Sequence, residues 1–431
     1  MAARSNSPAK NEPSPERKKR EMKRTTLKTR LWALAATLLL LISLLALPVS
    51  ASINTTASNG KITFQKHLVM DKEANVPNVT FEFTIAAGQA ATYGEEGTVK
   101  TAVYAGIMGE NAPVIYAGNS KPEKDEDYGK VTFAAGDDTT DITPVEPEAA
   151  VTQKEATKNL TVDFTGVTFP APGIYRYVIT ETNGGSSGIT YDDSRTLDVY
   201  VQYKKNSETG EGQPEYTDEL EVAYYVLQDG TAGNPDTATD AEDGTKSDGF
   251  TNTYDTQNLT LKKEVEGNQG DKNKYFKFTV EISGATKGNK YTVDLTHADT
   301  TISSLQHTNP SELIVSEDGT VSGTYYLKND QYIVIQGLTS DTQYKITEDS
   351  YANDGYSTTY KVDNGETHTG SSTPDETDVG DSDVSVTFTN TKNGTVPTGI
   401  LLETAPYLIL GAVVVVGLVV LFATRRRRTR E

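Results

Sequence analysis

The chain has no cysteine in 431 residues. That excludes disulfides, thiolate nucleophiles and cysteine-based zinc sites, and an exported chain of this kind must be stabilised by other means. Histidine is almost as scarce. The four, at 67, 297, 307 and 368, lie without metal-ligand spacing, so no metal site and no cofactor are expected. His67 is expected to be exposed. Positive charge is also short, with 40 Lys and Arg against 60 Asp and Glu and a net charge of −20. Residues 1–51 hold 10 Lys/Arg against 3 Glu, and residues 399–431 hold 5 Arg against 2 Glu, so the stretch between them carries about −30. That argues against a phosphate-binding surface, and nucleic acid is not an expected partner. No phosphate loop is present either. Gly284 to Lys290 reads Gly-x-x-x-Gly-x-Lys with no Ser or Thr after it, and Asp236 to Gly244 lacks the calcium-loop pattern. What the chain does have is 35 Gly, 17 Pro, 23 Tyr and 35% hydrophobic residues, with many Thr and Val, which suits an all-β protein. Its length allows two or three domains.

The two ends predict an exported, anchored chain. A basic leader with Arg17-Lys18-Lys19-Arg20 precedes an apolar run from Leu31 to Pro48, and Val49-Ser50-Ala51 supplies small residues for cleavage. Residues 1–51 therefore read as a signal peptide, with a single N-terminal anchor as the alternative. At the other end, residues 405–423 are uncharged and are followed by Arg425-Arg426-Arg427-Arg428, the pattern of a membrane-spanning helix with a basic tail at 425–431. Thr395-Val396-Pro397-Thr398-Gly399 stands just before that helix. A Pro-Thr-Gly motif, an apolar span and an Arg tail in that order resemble a Gram-positive sorting signal, residues 395–431. The motif departs from Leu-Pro-x-Thr-Gly and is similar to the Val-Pro-Thr-Gly variant of streptococcal backbone pilins. An ordinary C-terminal anchor is the alternative.

The middle of the chain repeats itself. Ile62-Thr63-Phe64-Gln65-Lys66-His67-Leu68 is answered by Leu259-Thr260-Leu261-Lys262-Lys263-Glu264-Val265, Tyr177-Val178-Ile179-Thr180-Glu181 by Tyr344-Lys345-Ile346-Thr347-Glu348, and Phe250-Thr251-Asn252-Thr253 by Phe388-Thr389-Asn390-Thr391. Two homologous β domains are predicted, residues 52–254 and 255–394. The first carries two insertions, one including the acidic, loop-like region from Lys121 to Pro147 and the other the Gly/Asp/Thr-rich stretch from Asp229 to Asp248.

Side chains alternate between the faces of a strand, so position parity identifies those that share the core face. Ile62, Phe64 and Leu68 share theirs with Lys66, and Leu259, Leu261 and Val265 share theirs with Lys263. Glu181 and Glu348 fall on the face of Tyr177 and of Tyr344, and Asn252 and Asn390 on that of Phe250 and of Phe388. Each domain thus sends one Lys, one Glu and one Asn into an apolar core. Burial favours a neutral amine beside a protonated acid. A neutral amine is a nucleophile, the carboxamide an electrophile, and the acid a proton shuttle, so the trio can form a Lys–Asn isopeptide bond. Parity leaves open the alternative of solvated strand ends or a buried ion pair.

The pattern resembles the pilin isopeptide-linkage domains of streptococcal major pilins, CnaB-like immunoglobulin-fold modules that form this bond autocatalytically. The resemblance implies two tandem immunoglobulin-like β-sandwiches, with Lys66 and Asn252 crosslinked under Glu181, and Lys263 and Asn390 under Glu348. Lys262 faces outward. The resemblance also implies that a pilus-specific sortase joins the Thr398 carbonyl of one subunit to a lysine of the next shortly before the first-domain Asn. Lys246 occupies that region, about one residue from the family position. The expectation is a non-enzymatic structural subunit of a sortase-assembled pilus on the Gram-positive cell wall, in contact with the membrane only before sorting. Its partners would be other copies of itself, ancillary pilins and peptidoglycan, with a host-surface ligand possible. A monomeric wall-anchored adhesin or an ancillary pilin is the alternative.

Overall fold

The computed structural model describes residues 57–94, 96, 99–143, 152–206, 216–229, 233, 245–394 and 414–415. The expected signal peptide, the motif residues Val396, Pro397, Thr398 and Gly399, and the Arg tail lie outside them, as does all of the expected membrane span except 414–415. Among the described residues no helix is long and apolar enough to cross a membrane.

These residues form an all-β structure with three short 3-10 turns. The strands that position the conspicuous polar residues are, in the first half, β1 (Lys61–Asp71), β2 (Val79–Ala87), β3 (Gln153–Asp163), β4 (Gly173–Thr182), β5 (Ser194–Lys205), β6 (Tyr216–Asp229) and β7 (Gly249–Tyr254). In the second half they are β8 (Gln257–Glu266), β9 (Phe276–Ser283), β10 (Tyr332–Leu338), β11 (Gln343–Glu348), β12 (Ser357–Val362) and β13 (Val384–Thr391).

Each half is a pair of sheets closed over one apolar core. In the first, β7, β1 and β3 are consecutive neighbours in one sheet, and β6, β5, β4 and β2 in the other. Ile62, Phe64 and Leu68 from the first sheet meet Phe81, Phe83, Tyr177 and Leu197 from the second. In the second half, β10, β8, β13 and β12 run side by side and face β9 and β11. Its core joins Leu259, Leu261, Val265 and Phe388 to Phe276, Phe278, Tyr344 and Ile346. Strict alternation drives this arrangement, most plainly in β13, where every second residue of Val-Ser-Val-Thr-Phe-Thr-Asn-Thr is buried.

The first and last strands of each half lie beside each other and run parallel. β1 pairs with β7, with Lys66 opposite Phe250 and Leu68 opposite Asn252. β8 pairs with β13 in the same register, with Lys263 opposite Phe388 and Val265 opposite Asn390. Named contacts also join the halves. The Asn75 side chain donates to the Lys290 carbonyl and the Thr292 hydroxyl at 3.0 Å each, and the Asn78 backbone N–H donates to Asn289 Oδ1 at 2.8 Å.

Three local expectations need correction. His67 is buried rather than exposed, with Nδ1 at 2.9 Å from Glu155 and Nε2 at 4.0 Å from Asp248, because carboxylates from β3 and from the turn before β7 close over that outer face. The region from Lys121 to Pro147 is not simply loop. It contains Lys130–Phe133, which adds a strand beside β2 and buries Val131 and Phe133 in the core. The stretch from Asp229 to Asp248 also ends in a short strand, Thr245–Lys246, paired with β6.

Candidate functional site

In the first half, parity along β1 places Lys66 beneath the sheet with no solvent exposure, among Phe81 and Phe83 of β2. Its ammonium lies 4.7 Å from the Phe81 ring centre and 5.9 Å from that of Phe83. Glu181 arrives from the opposite sheet, on β4 across from Phe83. Its Oε2 accepts from Lys66 Nζ at 2.9 Å, and its Oε1 accepts from Asn252 Nδ2 at 2.5 Å. The amide oxygen of Asn252 in turn accepts from the backbone N–H of Asp192 at 2.8 Å.

The second half repeats the constellation. Lys263 has no solvent exposure and sits 4.5 Å from the Phe276 ring centre and 5.9 Å from that of Phe278. Glu348 comes from β11, across from Phe278. Its Oε1 takes both contacts, Lys263 Nζ at 3.1 Å and Asn390 Nδ2 at 2.8 Å. Lys263 also donates to the Phe388 carbonyl at 3.3 Å. Glu348 Oε2 and Asn390 Oδ1 are buried without a hydrogen-bond partner.

The electrostatics follow from desolvation. Burial pushes the Lys66 and Lys263 amines down to about 8, against the opposing pull of Glu181 and Glu348. Burial pushes the Glu181 carboxyl up and that of Glu348 up to about 6, with the paired lysine resisting in each case. The gap between amine and acid is therefore much narrower than in water, and transfer of a proton from ammonium to carboxylate is correspondingly cheaper. That transfer would leave an uncharged amine next to a primary amide, with a carboxyl group touching both nitrogens. That arrangement can perform amide exchange.

Lys66, Glu181 and Asn252 are thus brought together, as are Lys263, Glu348 and Asn390. Lys262 points away, pairing with Glu264 at 2.7 Å. Lys246 is not part of either trio. It is half-buried in Thr245–Lys246, opposite Gln228 of β6.

Besides Asp163, which is buried and accepts from the Tyr116 hydroxyl at 3.2 Å, two charged pairs escaped the reading of the sequence. Arg176 on β4 makes a two-pronged pair with Asp198 of β5 at 2.7 and 2.8 Å, and Gln228 and the Gly233 carbonyl complete the network. Arg195 and Asp192 form the second, beside Asn252. Only the Asp-Asp-Ser-Arg run at 192–195, which has no counterpart in the second repeat, could have drawn attention to it.

The chain is similar to several known proteins. Residues 62–255 match the Spy0128-like isopeptide containing domain, and residues 257–392 match a domain of unknown function, DUF7601. A pilin of Streptococcus pyogenes serotype M1 is 28% identical over 373 residues, covering 84% of this chain and 90% of that protein. A solved major pilin of Streptococcus pyogenes is 24% identical with a TM-score of 0.48, over 79% of this chain and 100% of the other. Another major pilin of that species is 22% identical with a TM-score of 0.48, over 78% of this chain and 99% of the other.

Proposed function

We propose that this protein is the structural major subunit of a covalently polymerised, sortase-assembled cell-surface pilus, a reading supported by the match of residues 62–255 to the Spy0128-like isopeptide containing domain and by the similarity of most of the chain to a streptococcal pilin. Each half, residues 52–254 and 255–394, is a domain locked by an isopeptide bond between Lys66 and Asn252 or between Lys263 and Asn390.

The observation that carries this reading is the duplication of one buried Lys–Glu–Asn trio, each spanning the first and last strands of its half. In the reaction the carboxylate of Glu181 or Glu348 takes a proton from the ammonium. The neutral Nζ adds to Cγ of the asparagine, the acid passes its proton to Nδ2, the Cγ–Nδ2 bond breaks and ammonia leaves, and the carboxylate takes up the remaining extra proton from Nζ as the amide forms. Each domain turns over once, which is self-modification and not enzymatic catalysis of an external substrate. Because the bonded strands are parallel neighbours, tension entering at the first strand and leaving at the last is borne by the covalent tie. That suits a fibre and a chain without cysteine. Thr398 and Lys246 would form the intersubunit link through a pilus-specific sortase, with peptidoglycan and ancillary pilins as the other partners.

Peptide mass mapping of the full chain tests the bonds. Two branched peptides are expected, Lys66 with Asn252 and Lys263 with Asn390, each lighter by one ammonia, about 17 Da, than its unjoined parts. Their absence would return the trios to buried ion pairs. Polymerisation is read separately, as a ladder of covalent multimers in wall extracts that disappears in Lys246→Arg. A persistent ladder would assign the link to another lysine.

A further inference from the structure

The two trios differ at one atom, the carbonyl oxygen of the asparagine. When Nζ adds to Cγ, negative charge develops on that oxygen, and a donor already in place lowers the barrier. Asn390 Oδ1 is buried without one. Asn252 Oδ1 has the Asp192 N–H at 2.8 Å, and the surrounding structure holds that N–H in place. The Asp192 carboxylate accepts from the Thr251 N–H at 2.7 Å, next to Asn252, and from the Asp193 N–H at 2.8 Å. Arg195 grips both of its oxygens at 3.0 and 2.6 Å, and Nε reaches the Gly249 carbonyl and the Ser247 hydroxyl at 3.0 Å each. The guanidinium also lies 5.0 Å from the Phe250 ring centre and 3.1 Å from Asp229, and Arg195 as a whole is buried.

Backbone topology explains why the device exists only once. In the second half β12 runs unbroken along β13, with Thr358 opposite Asn390. In the first half the strand beside β7 is only Ile189–Thr190 and stops two residues before Asp192. The Asp192 N–H is thereby released from the ladder and turns to the side chain of Asn252.

We propose that the Asp192 N–H is an oxyanion donor for bond formation at Asn252, and that Arg195, through the Asp192 carboxylate, is a positioning residue for it. The inference rests on the isopeptide reading. Attack by Lys66 Nζ places the charge on Oδ1 against this N–H. Collapse of the adduct breaks the Cγ–Nδ2 bond, and Glu181 delivers the lysine proton to the departing ammonia.

The test follows both crosslinks in the full chain by peptide mass mapping, sampled after a pulse of isotope-labelled synthesis, so that the second bond is an internal clock. In Asp192→Ala the first crosslink is expected to lag by up to on the order of 10²-fold, the second to keep wild-type timing, and the first-half strands to stay protected from hydrogen exchange. Asp192→Asn, which keeps an acceptor for Thr251, should recover part of the rate. A folded Asp192→Ala chain that forms the first crosslink on wild-type timing overturns the inference. If Asp192→Ala does not fold, the unreacted Lys66→Ala chain decides, since the Asp192 amide must then be strongly protected from exchange, and free exchange overturns the inference. A wild-type chain with neither crosslink would instead remove the isopeptide reading itself.

Discussion

The two trios are built on the same plan but are solvated by the protein differently. Each has its lysine on the first strand, its asparagine on the last and its glutamate on the opposite sheet, and each amine lies against two phenylalanines. In the first, both glutamate oxygens and both asparagine amide atoms have partners. In the second, one glutamate oxygen receives both donors while Glu348 Oε2 and Asn390 Oδ1 have none. The shared part comes from strand register, which the repeat conserves. The difference comes from loops outside the repeat, so the trio itself is fixed by the strands and its hydrogen-bonded surroundings are not.

The largest effect is expected from removing the acids. Glu181→Ala should abolish the first branched peptide alone, and Glu348→Ala the second alone, as read by mass mapping. Each uncrosslinked domain then loses a tie across 186 or 127 residues, worth roughly 4 to 5 kcal/mol in denaturant unfolding. Loop length alone separates the two by only about 0.3 kcal/mol. A much larger difference would mean that one loop is already ordered in the unfolded chain.

The next effect sharpens the comparison through pH. Asn390→Ala leaves Lys263 and Glu348 as an unreacted pair. Glu348 rises to about 6 in the folded state, above its ordinary 4.5, so its contribution is full at acid pH and is lost as pH climbs through that window. Lys263 falls to about 8 from 10.5, so folded protein is disfavoured below about 8 and recovers stability as pH rises from there towards 10.5. The variant should therefore be least stable between about pH 6 and 8. The crosslinked protein, whose Lys263 is an amide, should lack the alkaline rise. A flat profile in Asn390→Ala would show that the pair is not desolvated as the fold implies.

How much of this could be read from the sequence is decided by period and by partner. Lys66 and Lys263 were legible because a two-residue period puts each on a face already defined by Ile62, Phe64, Leu259 and Leu261, and because a second copy repeats the anomaly. Asp192 was not legible, since its contribution is a backbone N–H freed where a strand stops. His67 was misread because parity assigns a face but not what covers it, and Glu155 and Asp248 close over it. The strand Lys130–Phe133 was hidden by an acidic neighbourhood that looks like loop.

A smaller effect is expected from the rings. Phe81→Leu and Phe276→Leu keep an apolar side chain of somewhat smaller volume but remove the π face nearest each amine. In the uncrosslinked Asn252→Ala and Asn390→Ala backgrounds each should cost about 1 to 2 kcal/mol. In the crosslinked chain the nitrogen is a neutral amide, so the loss of ring attraction should shrink. Equal losses in both backgrounds would assign the rings to packing alone.

The smallest effect breaks the comparison at a single peptide unit. Lys262 and Lys263 are adjacent, yet strand alternation sends one outward to a half-exposed pair with Glu264 and the other inward to Glu348. A surface pair of that kind is worth about 0 to 1 kcal/mol. Lys262→Ala should therefore leave the Lys263–Asn390 peptide intact and barely move the unfolding midpoint, whereas Lys263→Ala removes the crosslink. If instead Lys262→Ala were to eliminate the branched peptide, β8 would have to be shifted by one residue against β13. Every inward side chain of the strand, Leu259, Leu261 and Val265 included, would then face water, so the apolar alternation of the whole strand stands behind the choice of Lys263.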